Sequence, residues 1–201
     1  MHIKNKLSCF SLGLLAASLT PLALAQHTTP GATEPVSITT PSAPDGTEGK
    51  LLTQSSVSKA DRKLYIRLAE ANLAEIAAAK QALVKSNDPQ IKTFAQHMID
   101  DHGMAQDQLS TLARNKQVEL PVVPDEKHRK LAERMADMSA IDFNSQYAKA
   151  AVVDHRATLK LLDKITSSTK DADLKALAEK MKPRVQSHLK AALELTAAPS
   201  R

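Results

Sequence analysis

The sequence predicts an all-α protein: a four-helix bundle with a short extra helix in the connection between its second and third long helices. Three observations carry this. Of 201 residues only 2% are aromatic, with no Trp, two Tyr and three Phe. Gly is rarer still, five in all, and from Leu51 onward the only one is Gly103. Strands want β-branched and aromatic residues and their hairpins want Gly for positive-φ turns, so this composition excludes an all-β fold. Finally, from Val57 onward four long stretches carry Ala, Leu and other apolar residues at helical spacing. The length allows one ordinary domain.

The chain ahead of those stretches reads as leader and tether. Lys4 and Lys6 form a basic start, Leu7 to Leu24 is apolar but broken by Pro21, and Ala23-Leu24-Ala25 supplies a small-x-small cleavage pattern. Residues 1–25 are therefore expected to be a secretory signal peptide, cleaved between Ala25 and Gln26, which sends the protein to the periplasm or outside the cell. Cleavage would remove Cys9, the single cysteine, leaving no disulfide, no thiolate ligand and no cysteine nucleophile. It would also lower the formal net charge from +5 to +3 through loss of Lys4 and Lys6. So modest a charge is no nucleic-acid footprint, and no transmembrane span is expected once the leader is gone. Residues 26–56, rich in Thr, Ser, Pro and Gly without apolar periodicity, read as a disordered tether. The bundle is expected over 57–196 and a short tail over 197–201.

Each helix has its own signals. α1 is expected from about Ser58 to Lys85, with Ser58 as N-cap and Leu64, Leu68, Ala71, Glu75, Ala79, Ala82 and Leu83 inward. α2 starts at Asn87-Asp88-Pro89, an N-cap residue followed by Pro in the first turn, and ends before Pro121. Its inward stripe is Ile91, Phe94, Ala95, Met98, His102, Ala105, Leu109 and Leu112. α3 is the short helix, about Asp125 to Ala136, introduced by Pro124. α4 covers about Asp142 to Thr166, with Tyr147, Ala148, Ala151, Val152, His155, Leu159 and Leu162 inward. α5 spans about Asp171 to Thr196, with Leu174, Leu177, Ala178, Met181, His188, Ala192 and Leu195 inward. Pro183, in its interior, removes one backbone hydrogen bond and is expected to kink it. The α1–α2 and α4–α5 connections are short and imply antiparallel hairpins. The α2–α4 path is long: α3 covers about 18 Å and its extended flanks add about 30 Å, enough to return along the roughly 40 Å of α2. A ferritin-like bundle with one long crossover is thus open to the chain, as is a plain up-down bundle.

Histidine recurs on the buried stripes. Seven residues before His102, His155 and His188 lie Ala95, Ala148 and Met181, and seven after lie Leu109, Leu162 and Leu195. Seven residues are close to two turns, so each histidine takes a core-facing position. α1 has Glu75 at the matching place, between Leu68 and Ala82. Counted from the turns, Glu75 and His102 differ in depth by about 4.5 Å and His155 and His188 by about 7.5 Å, so one mid-bundle level can hold all four. Burying four such groups is costly unless they find partners. Three imidazoles and a carboxylate can bind one divalent metal such as zinc, copper or iron, or the four can hydrogen-bond one another in a polar core without metal. Asp101 and Asp154, next to histidines in sequence, are candidate acceptors that orient an imidazole of another helix. Tyr147 is expected in the core with its hydroxyl bonded near the site. His97 falls on a different face and is expected at the surface, His128 is read as exposed, a lid or an accessory ligand, and His27 belongs to the tether.

The segment FAQHMIDDH with Leu109 and Leu112, the α1 segment ANLAEIAAAKQAL, the DFNSQY and VVDH of α4 and the KPRVQSHLKAALEL of α5 resemble the family named domain of unknown function 4142. The resemblance covers about Val57 to Thr196. It implies an exported bacterial protein with a ferritin-like bundle and no established function. The family pattern falls here on Glu75, Asp101, His102, Tyr147, His155, Pro183 and His188. Gly103, after the α2 histidine, and Lys182 and Arg184, flanking Pro183, depart from it. Gly103 either lets another helix approach closely or weakens α2 by about 1 kcal/mol.

A di-iron carboxylate centre needs Glu-x-x-His on two helices. The residues three before the core histidines are Ile99, Val152 and Val185, so a ferritin-type oxidase is not expected. No Gly-rich phosphate loop, G-x-S-x-G or H-E-x-x-H occurs, and no general acid/base pair stands apart from the candidate ligands. The sequence therefore favours a non-catalytic metal-handling or stress-protection bundle over an enzyme. A structural or interaction bundle is the alternative.

Overall fold

The computed structural model describes residues 57–197; the expected signal peptide, its cleavage site, the whole of the tether and most of the tail lie outside them. Five helices account for the described chain: α1 (Lys59–Lys85), α2 (Pro89–Asn115), α3 (Glu126–Ala136), α4 (Ala140–Ser168) and α5 (Ala172–Ala197). Side chains start four of them. Ser58, Asp88, Asp125 and Ser139 each accept a backbone N–H of the first turn, which satisfies donors the helix cannot pair internally. α5 runs unbroken through Pro183, whose ring sits on the exposed face.

Contacts at the two ends decide the topology that the sequence leaves open. At one end Tyr65 of α1 donates to Asp171 at the start of α5, and Lys116 just past α2 pairs with Asp173. At the other, Phe94 in the first turns of α2 packs edge-on against Tyr147 near the start of α4. Thus α2 and α4 run in the same direction, and the chain between them must travel the full length of the bundle. α3 makes that journey in the groove between α1 and α4. Gln81 and Lys85 of α1 donate to the carbonyls of Ala132 and Ala136, and His128 reaches Asp154 of α4. α1 packs on α2 and α4, and α5 on α2 and α4, so every neighbouring pair of long helices is antiparallel. This is the one-crossover connectivity of ferritin-like bundles.

The core is not continuous. One apolar cluster, built on Leu64, Leu68, Leu109, Leu162, Ile165 and Leu174, fills the end near the α4–α5 turn. A second, built on Ala79, Ile91, Phe94, Met98, Phe143 and Tyr147, fills the end near the α1–α2 turn. Between them each long helix contributes buried polar residues: Asn72 and Glu75, His102, His155 and Thr158, and His188. The apolar layers above and below exclude water from this middle layer and so set its chemistry.

Candidate metal centre

His102, His155 and His188 come from three helices and meet at the centre of the polar layer. Their ring centroids are 5.4–5.6 Å apart, and one ring nitrogen from each lies within 4.8 Å of the others. The residual exposure of the three is 2%, 0% and 7%.

Each ring is fixed from outside by one acceptor. Asn72 of α1 presents Oδ1 to Nδ1 of His102 at 3.1 Å, an orientation supported by its Nδ2 donating to Gln106 at 3.3 Å. Nδ1 of His155 donates to the carbonyl of Ala151, one turn earlier, at 2.8 Å. Nε2 of His188 donates to Oδ2 of Asp101 on α2 at 2.8 Å, while Arg184 holds the other oxygen at 2.6 Å. A neutral imidazole has one N–H and one lone pair, so these bonds assign the tautomers. The lone pairs fall on Nε2 of His102, Nε2 of His155 and Nδ1 of His188. Those three nitrogens are buried and have no hydrogen-bond partner.

The rings are held neutral. Burial, then the neighbouring rings of His155 and His188, keeps His102 well below the usual imidazole range. Burial lowers His155 to about 4. Burial also lowers His188, against the pull of Asp101. Neutral rings with free lone pairs are what a transition metal takes up. Tetrahedral metal–nitrogen bonds of about 2.0–2.1 Å set neighbouring nitrogens about 3.4 Å apart, so closing the set around an ion moves each inward by less than about 1 Å. The donor set fits one ion. A cleft of about 400 Å³ on the α2–α5 face, lined by His97, Asp101 and Arg184, reaches His188 of the triad.

Glu75 lies beside the triad and not within it. Its Oε1 is 3.2 Å from Nδ1 of His155, but that N–H points at Ala151 and the carboxyl oxygen is left without a hydrogen bond. Burial, reinforced by Asp154, holds the Glu75 carboxyl well above the usual carboxylate range. Asp101 serves a histidine of another helix, α5. Asp154 also reaches another helix, but its partner is His128, which is partly buried in the crossover and bonded on its other side to Asp125 at 2.7 Å. Tyr147 is in the core against Phe143, yet its hydroxyl is unbonded, contrary to expectation. His97 is exposed. Sequence reasoning missed Asn72. The signal was its place four residues after Leu68 and three before Glu75, on the inward stripe of α1.

The sequence profile of the family described as "Domain of unknown function (DUF4142)" matches residues 47–195. No curated protein and no solved structure matches the chain.

Proposed function

The chain belongs to the DUF4142 family, a domain of unknown function, and we propose that it is an exported bundle that binds one divalent metal ion, zinc, copper or iron, through His102, His155 and His188. The observation that carries this reading is the division of each imidazole. Its outer nitrogen is committed to Asn72, Ala151 or Asp101, and its inner nitrogen is buried without a partner. A polar core built only to fix packing has no reason to aim three orphaned acceptors at one point, where each costs about 1–3 kcal/mol. A bound ion would satisfy all three.

Three protein ligands leave a fourth position for water or an exchangeable group. Glu75, on the Nδ1 side of His155, stands away from that ring's free lone pair and is not one of the ligands. The role would be metal handling or stress protection in the cell envelope, consistent with the leader-like residues 1–25, and the site includes no separate acid/base pair that would argue for an enzyme.

The test is metal analysis of protein purified without a histidine tag, beside the His102→Ala/His155→Ala double variant. The reading expects about one ion per chain, lost in the variant, and a rise in melting temperature on adding zinc or copper to the metal-free wild type. No bound metal together with no thermal response would leave the polar-core alternative.

A further inference from the structure

α1, α3 and α4 enclose a cavity of about 150 Å³, separate from the centre of the histidine triad. Ala78, Leu131, Met135 and Ala151 supply apolar wall. Glu75 and Tyr147 also line it, and each has a buried oxygen, Oε1 and the phenolic hydroxyl, with no hydrogen-bond partner. These two side chains are only 4% and 1% exposed. They are close enough to interact: burial first, then Glu75, pushes the Tyr147 hydroxyl up. Orphaned polar groups are rare in folded proteins and call for a physical reason. An apolar cavity with a few convergent polar groups is the usual form of a small-molecule site.

We infer that this cavity binds a small, uncharged, mostly apolar organic molecule whose single hydroxyl or carbonyl oxygen hydrogen-bonds Glu75 and Tyr147. A dry cavity of about 150 Å³ is large enough for benzene, which sets the size at about seven non-hydrogen atoms. The charged part of the wall is mixed in sign, with Glu75 and Asp154 beside His128 and Arg129, and any ion would surrender its hydration to the alanine, leucine and methionine around them. A neutral hydroxyl bonds both orphaned oxygens at no such cost. The inference stands on this cavity alone and does not depend on metal at the triad.

Methionine-methyl NMR of the chelator-treated chain, titrated with phenol, benzene and benzoate, tests it. The Met135 methyl, assigned with Met135→Leu, reports on the wall of the cavity. Phenol shifts it saturably, benzene binds about fivefold more weakly for want of the hydroxyl, and benzoate leaves it unmoved. Tyr147→Phe narrows the preference for phenol over benzene. Ala78→Leu fills the cavity from α1 and Ala132→Met fills it from α3, and each abolishes the response. No saturable shift with phenol would show a cavity that takes water only. That result, equal affinity for phenol and benzene, or a response that survives both filled variants overturns the inference.

Discussion

Asp101 of α2 holds two residues of α5 at once, Arg184 through Oδ1 at 2.6 Å and His188 through Oδ2 at 2.8 Å. Arg184 and His188 are four residues apart on one face of α5, so the two oxygens of a single carboxylate span one helical turn. The bond to His188 fixes its tautomer and turns Nδ1 inward. Losing such a partner costs about 10–100-fold in metal affinity. Asp101→Ala is therefore expected to weaken zinc binding by that factor in competition with a chelating indicator. Arg184→Ala, at an exposed side chain, is expected to change it by less than about threefold. An unchanged affinity in Asp101→Ala would mean that packing alone orients the ring.

Asn72 does for His102 what Asp101 does for His188, inside the core. Asn72→Ala leaves Nδ1 of His102 buried without an acceptor and is expected to destabilise the metal-free protein by about 1–3 kcal/mol in urea denaturation. It also frees the ring to take the other tautomer, so metal affinity falls as well. Asn72→Asp retains an acceptor oxygen and is expected to recover affinity better than stability, because it buries a carboxyl. Equal losses of affinity in the two variants would show that the ring needs no acceptor there.

The histidine triad was legible because each member interrupts an apolar stripe at a spacing of seven, and counting from the turns gave its depth. Asn72 was not, although it lies on the same stripe as Leu68 and Glu75. A lone amide in an Ala-rich helix reads as surface until the rotation of α1 against α2 is known. The crossover was illegible for a similar reason. Both topologies satisfy the loop lengths, and only the meeting of Tyr65 with Asp171 shows which end of α4 lies beside the start of α1. Which face of the His155 ring Glu75 meets is a matter of rotamer, beneath the resolution of any spacing argument.

The buried groups make stability depend on pH with opposed signs. Burial keeps His102, His155 and His188 below the usual 6.5, His155 at about 4. Above pH 6.5 these rings are neutral whether the chain is folded or not. As pH falls below that, the unfolded chain gains protons that the folded one refuses, and stability drops by up to about 1.4 kcal/mol per pH unit for each ring. Glu75, held above the usual 4.5 by burial and Asp154, contributes in the other direction: stability present below 4.5 is lost as pH rises toward its folded value. His128, raised by its bond to Asp154, stabilises below 6.5 and loses that contribution as pH rises through its folded value. Urea titrations of metal-free protein are expected to show stability falling between pH 6.5 and 5, where three rings outnumber the opposing groups. Glu75→Gln is expected to gain on the wild type as pH rises from 4.5 to 7. A constant difference between the two across that range would mean that Glu75 is ionised in the folded core.

Gly103 follows His102 directly, and a Cβ built on it meets nothing within 4 Å. Close approach of another helix, one of the two reasons the sequence allowed for it, is therefore excluded, and what remains is a weak point in α2. Gly in a helix interior costs about 0.5–1 kcal/mol relative to Ala, through the backbone freedom it loses on folding. Gly103→Ala is expected to recover that amount and raise the melting temperature by a few degrees, with no steric penalty to offset the gain. If His102 needs only its bond to Asn72 to stay in place, metal affinity is unchanged in the same variant. If the backbone at Gly103 must instead yield for the three rings to close on an ion, stability rises while affinity falls. Measuring both in one protein separates a helix defect from a hinge.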